Sequence, residues 1–151
     1  MSERVLRREE YIRASADQVW RALTDPEVTA RYAFGGARVQ STWRVGDEIH
    51  YLTPDGAGRL LEGTLLEVER GRRLVLSCRF LGDPRLAADR PHRETFEIED
   101  LGELCKLTAT FDHYAPDSPA YQHCALGMAM TGSSLKSLLE TGAALAFAAP
   151  D

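Results

Sequence analysis

This chain is poor in the patterns that usually announce chemistry. Its three cysteines, Cys78, Cys105 and Cys124, are odd in number and contain no Cys-x-x-Cys pair. That spacing argues against a disulfide framework, and three buried free thiols in a reducing compartment are expected. The four histidines, His50, His92, His113 and His123, show no His-x-x-x-His or Cys/His spacing, so no metal and no cofactor is expected. Each histidine is read as a surface or strand-end residue. Asp112 and His113 are neighbours in a strand-like stretch, which points them to opposite faces and denies them a relay. Gly-x-Ser-x-Gly is missing, so no nucleophile elbow is signalled, and no glycine-rich phosphate loop occurs. Basic charge is scarce as well. Lys and Arg total 18 against 23 Asp and Glu, for a net charge of −5, and the only basic clusters are Arg7-Arg8 and Arg72-Arg73. Nucleic acid and anionic membrane surfaces are poor partners for such a chain. No run approaches the roughly 18 apolar residues of a membrane span. The opening Met-Ser-Glu-Arg has no apolar stretch behind it, so no signal peptide is expected and the protein is placed in the cytoplasm.

What is present is ordinary globular material arranged with clear periodicity. With 151 residues, 44% of them hydrophobic, residues 1–151 are expected to form one domain with its own core. Val5 to Ala14 reads as a charged first strand. Ser15 and Gln18 make a capping-box start for a short helix through Val19, Trp20 and Leu23. Asp25-Pro26 opens a second helix through Val28, Tyr32 and Phe34, with Gly35-Gly36 as its C-terminal cap. The period then falls to two. Strands are expected through Ile49 and Tyr51, then over Arg59–Glu69, Arg73–Leu81, His92–Glu99 and Glu103–Tyr114, as an antiparallel meander. Cys105, Leu107, Ala109 and Phe111 share one face of the last strand, and Phe96 and Ile98 continue the pattern beside it. Between Glu62 and Glu67 outward parity slips by one residue around Gly63, which suggests a bulge or sharp bend. Residues 82–91 read as a loop.

The strongest pattern lies in the last third. Ser118 is a good N-cap and Pro119 suits the first turn. Cys124, Met128, Thr131, Leu135, Leu138 and Gly142 then recur in steps of four and three, one face of a helix of about 25 residues and about 37 Å. Following a run of strands, such a stripe is best buried inside a curved sheet, with room for a cavity between them.

The order of strand, two short helices, antiparallel strands and long closing helix resembles the helix-grip, START-like superfamily, also called SRPBCC. That superfamily includes birch-pollen-allergen-like proteins, polyketide cyclases and plant hormone receptors. Ala16-Asp17-Gln18-Val19-Trp20-Arg21-Ala22-Leu23-Thr24-Asp25-Pro26 is similar to the opening helix of the family named after the activator of the heat shock protein 90 ATPase. Arg73-Leu74-Val75-Leu76 and Leu107-Thr108-Ala109-Thr110 resemble two of its strands. Gly127-Met128 and Ser133 through Gly142 resemble its closing helix. The resemblance implies an α+β helix-grip fold with a curved antiparallel sheet of about six to seven strands. Met128 and Cys78 stand where relatives often carry tryptophan, and Phe111 where histidine is frequent, which implies a wider and more apolar cavity.

The residues expected to line that cavity are Tyr32, Phe34, Tyr51, Cys78, Phe80, Phe96, Phe111, Met128 and Thr131. Arg8 and Glu10 share parity with Leu6 and Ile12. They either face inward, as polar groups that orient a ligand, or lie exposed at a sheet edge. No catalytic residue is signalled, and the expected role is binding of a small apolar or aromatic ligand. Two alternatives stand beside it. One is an enzyme of polyketide cyclase or hydratase type using Tyr32, Tyr51 or His113. The other is a chaperone- or stress-related interaction module with a protein partner or a second copy of the chain.

Overall fold

In a computed structural model, which describes residues 4–145, the chain runs β1 (Leu6–Ile12), α1 (Ala16–Thr24), α2 (Pro26–Tyr32), β2 (Arg38–Ser41), β3 (Glu48–Leu52), β4 (Arg59–Glu69), β5 (Arg73–Phe80), α3 (Pro84–Ala87), β6 (His92–Asp100), β7 (Cys105–Asp112) and α4 (Pro119–Thr141). Met1, Ser2 and Glu3 of the opening stretch lie outside the described residues. The strands form one curved antiparallel sheet in the order β1-β7-β6-β5-β4-β3-β2, and α4 lies against its covered face. This is the helix-grip α+β fold. No described helix is long and apolar enough to cross a membrane.

Local chemistry sets the helix ends. The Ser15 hydroxyl accepts the Gln18 N–H at 3.1 Å while the Gln18 side chain accepts the Ser15 N–H at 2.8 Å, which satisfies two donors that helix geometry leaves unpaired. The Asp25 carboxylate accepts the Glu27 N–H at 2.9 Å and starts α2, with Pro26 in its first turn. At the start of α4 the Ser118 hydroxyl accepts the Tyr121 N–H at 3.2 Å. At its end Gly142 adopts φ 83°, the left-handed conformation that glycine takes without a Cβ clash.

Three local expectations need correction. Helix α2 ends at Tyr32, capped by Ala33, and Gly35 and Gly36 belong to a separate 3₁₀ turn over Phe34–Gly36, both at positive φ. Strand β2 has no counterpart among the expected strands, because four residues are too few to show a period; it joins the sheet by pairing with β3. The 82–91 stretch contains a single helical turn, α3, opened by Asp83 accepting the Arg85 N–H at 2.8 Å.

The parity slip expected between Glu62 and Glu67 is present as a register shift within β4. It falls between Leu65 and Glu67, and a second shift falls between Tyr51 and Leu52, on either side of Gly63. Gly63 itself is a point of close approach, where a Cβ would sit 1.7 Å from the Ser77 carbonyl oxygen.

The core divides in two. Ile12, Val19, Trp20, Leu23, Leu74, Leu76, Ile98, Leu107 and Leu135 pack together under α1 and the C-terminal half of α4. Leu86, Phe111, Tyr114, Ala120 and Cys124 form a second cluster under its N-terminal half. Along the α4 stripe Cys124, Leu135 and Leu138 are buried, whereas Met128 and Thr131 are only half-buried. Between the two clusters the helix spans a space it does not fill. All three cysteines are free and buried.

Candidate functional site

That space is a cavity of about 290 Å³ between α4, the sheet and the end of α2. Tyr32 and Phe34 stand at its mouth, with Phe34 half exposed. Tyr51 on β3, Phe80 on β5, Phe96 on β6 and Phe111 on β7 form the sheet wall, and Met128 and Thr131 the helix wall. Strand alternation explains the set: Phe96 pairs across the ladder with Ala109, and Glu94 with Phe111, so all four share the covered face. Phe96 and Phe111 meet edge to face at 5.8 Å. Cys78 shares that face but does not reach the cavity surface; it is 1% exposed, behind the wall. The Tyr32 hydroxyl donates to the Ala22 carbonyl at 2.7 Å, and burial pushes its pKa up.

Arg8 and Glu10 sit on the edge strand and also line the rim of the cavity. The Arg8 guanidinium donates to Glu10 at 3.1 and 2.7 Å. Gly132 on α4 leaves room for this pair, since a Cβ there would come within 3.0 Å of Glu10 Oε1.

The end of the cavity beneath the N-terminal half of α4 is polar and buried. His92 Nε2 stands 2.8 Å from Glu94 Oε2 and 3.7 Å from Cys124 Sγ. Its ring is stacked between Phe80, at 5.7 Å and 24°, and Tyr114, at 4.7 Å and 14°. His92 Nδ1 is buried and has no hydrogen-bond partner among the described residues, a state that costs about 1–3 kcal/mol, whereas the Tyr114 hydroxyl faces the Cys124 thiol. Burial raises the pKa of Cys78, Tyr51, Cys124 and Tyr114, with the Glu94 charge adding to the effect at each. These thiols and phenols are therefore uncharged at neutral pH.

A family model described as Activator of Hsp90 ATPase homolog 1-like protein matches residues 13–140. The chain belongs to this family. Among solved structures, MLL2253 from Mesorhizobium loti is 23% identical, with a TM-score of 0.74 over 90% of this chain and 96% of that one. The Aha1 dimer from Colwellia psychrerythraea is 16% identical, with a TM-score of 0.71 over 92% and 98%. DynU16, described as a putative protein in the dynemicin biosynthetic locus, is 22% identical, with a TM-score of 0.73 over 93% of this chain and 48% of that one. At such identities the likeness is one of fold. No curated protein matches the chain.

Within this family member, sequence reasoning misses His92 and Glu94. His92 opens its strand but is 1% exposed, and His50 in mid-strand is 8% exposed, so neither is a surface residue. His113, offered for an enzymatic role, is exposed and is not part of the cavity lining. Parity holds the missing signal. Counting back by twos from Ile98 and Phe96 puts Glu94 and His92 on the covered face.

Proposed function

We propose that this family member is a cytoplasmic binding protein for one compact apolar or aromatic molecule, held between α4 and the sheet. The observation that carries the reading is the cavity of about 290 Å³ with Tyr51, Phe80, Phe96, Phe111 and Met128 in its walls. Its volume lies near the lower edge of the usual range for ligand pockets and is roughly twice that of an engineered cavity that takes benzene. A guest of one or two rings suits it. The rim pair Arg8–Glu10 and the buried Glu94 supply the few polar groups that orient a guest in an otherwise apolar site.

Met128 sits mid-helix on the cavity wall, where an indole would occupy the space of a guest. Met128→Trp is expected to weaken binding of an apolar fluorescent probe at least tenfold while the far-ultraviolet circular dichroism stays native. If the wild-type protein binds no such probe and Met128→Trp is destabilised by the roughly 1–3 kcal/mol of an overpacked core, the reading fails.

One observation favours the cyclase- or hydratase-type alternative: Glu94 and His92 are buried side by side at the cavity end, within reach of a guest that touches Glu94. Mass spectrometry of a bound guest separates the two readings, since a binding protein returns it unchanged.

A further inference from the structure

The pairing of β5 with β6 sets Cys78 directly opposite His92, and alternation carries Glu94 to the same face two residues on. One donor atom from each of these three buried residues lies within 4.8 Å of the other two. Cys124 comes down from α4 to place its sulfur 3.7 Å from His92 Nε2. We infer that Cys78, His92 and Glu94, with Cys124 as fourth ligand, form a binding site for a zinc-class divalent cation at the polar end of the cavity. The inference goes beyond the ligand-binding reading and stands whether or not the cavity takes an organic guest.

The donor set selects the ion, and the two thiols, uncharged in the metal-free protein, each release a proton to solvent as the ion binds. Two sulfurs, an imidazole and one carboxylate are what four-coordinate Zn²⁺ takes, whereas Mg²⁺ and Ca²⁺ call for six or more oxygens. Zinc–ligand bonds of about 2.0–2.3 Å put the donors of a tetrahedral ion about 3.4–3.8 Å apart. The Cys124–His92 separation of 3.7 Å already meets that, while Cys124 stands outside the compact group of three and its sulfur must turn toward Cys78 and Glu94 to complete the set. The 2.8 Å between His92 and Glu94 must open by about 0.6 Å, and the widest separation within the trio must close by about 1 Å, to fit those bond lengths. Changes of that size are within the reach of small side-chain rotations.

The imidazole, by contrast, is held in its plane by Phe80 and Tyr114, which fixes the direction of its lone pair. Both Glu94 and Cys124 address the same ring nitrogen, Nε2. A Cys-His-Glu relay needs the thiol on one nitrogen and the carboxylate on the other, so the convergence suits coordination and not proton transfer. Nδ1 has no partner among the described residues, so Nε2 is the ring nitrogen that the other donors address. Glu94 and Cys124 line the cavity, which gives an ion its way in.

The probe is Co²⁺ added to chelator-treated protein, followed by displacement with Zn²⁺. One equivalent is expected to give intense visible bands of tetrahedral cobalt and a near-ultraviolet thiolate-to-cobalt band, both abolished by one equivalent of Zn²⁺. Cys78→Ser and Cys124→Ser should each remove about half of the thiolate band. Glu94→Gln should weaken Co²⁺ by more than the roughly 10–100-fold lost with a mere supporting contact. Wild-type protein without a thiolate band, or a band unchanged in both cysteine variants, overturns the site. Should the variants fail to fold, the wild type still decides: about one zinc per chain after loading and gel filtration supports the site, and none refutes it.

Discussion

Gly63→Ala tests the tightest backbone approach in the fold. A Cβ at this position would lie 1.7 Å from the Ser77 carbonyl oxygen and 2.8 Å from its carbonyl carbon. Carbon–oxygen contacts settle at about 3.3 Å or more, so relief requires a displacement of about 1.6 Å. The obstacle is the backbone of β5, which cannot swing aside as a side-chain tip would. Strands are spaced about 4.8 Å apart, and a shift of that size breaks the ladder locally. At stake are the bond from the Thr64 N–H to Ser77 Oγ at 3.0 Å and the pairing of Leu65 with Leu76, two side chains at most 1% exposed. Hydrogen bonds contribute about 0.5–1.5 kcal/mol each, and loosened leucine packing adds to their loss, for an expected destabilisation of about 3–5 kcal/mol. With a urea m-value of about 2 kcal/mol/M, the denaturation midpoint should fall by about 2 M. The displaced stretch also holds Cys78, whose Cα is 3.4 Å from the added carbon. A loss below about 1 kcal/mol would refute the argument, because no methyl group fits the described geometry without moving β5.

Gly127 lies inside α4, where an added Cβ would meet nothing within 4 Å and φ is not positive. Gly127→Ala should therefore stabilise the protein by about 0.5–1 kcal/mol through helix propensity alone, and a thermal melt showing a loss would contradict the helix placement. Asp112 is held below the ordinary carboxylate value of 3.8, first by the hydrogen bond from Arg93, which reaches it at 2.8 and 2.6 Å. A depressed native pKa stabilises fully above the unfolded-state value and is lost as pH falls through the native one. Asp112→Asn should thus be less stable than wild type at neutral pH, with the gap in urea midpoints closing in acid below that range; a gap that stays constant would be inconsistent with the pairing.

The parts of the fold that were legible in the sequence are those whose chemistry is local. Ser15 with Gln18, Ser118 with Pro119, and Gly142 mark helix ends because a cap satisfies backbone groups a few residues away. The alternation of Cys105, Leu107, Ala109 and Phe111 is legible because a strand with one covered face must alternate. Features that depend on distant partners were not legible. Strand β2 exists because β3 offers it an edge, and Gly63 matters because Ser77 approaches it. The candidate site follows the same division. Tyr51, Phe80, Phe96 and Phe111 come from parity on separate strands, and parity places them on the cavity side. Depth is another matter: Cys78 has the right parity yet lies behind the wall, since depth depends on how far the sheet curves. The cluster of Cys78, His92 and Glu94 was hidden because metal motifs are sought as short spacings along the chain. Here the spacing runs across the ladder, set by the register of β5 on β6.

Register also explains why polar groups survive on a covered face. A buried carboxylate is costly unless it is paired, and Glu94 is paired because His92 lies two residues away on the same side. An imidazole so placed needs walls that hold it, and Phe80 and Tyr114 come from the adjacent strand and the segment leading into α4. The next side of the cluster is the N-terminal half of α4, and that half is docked by the 82–91 segment. Asp89 accepts from the Ser118 hydroxyl and from the Ala120 N–H at 3.3 Å. The C-terminal half is fixed separately, by Leu135 in the main core and by the buried Leu138 one turn on. The long helix is thus anchored at both ends by different means, and Met128 and Thr131 lie in the span between. A helix held in this way can border an unfilled cavity without collapsing into it, which is the physical condition for the pocket to persist.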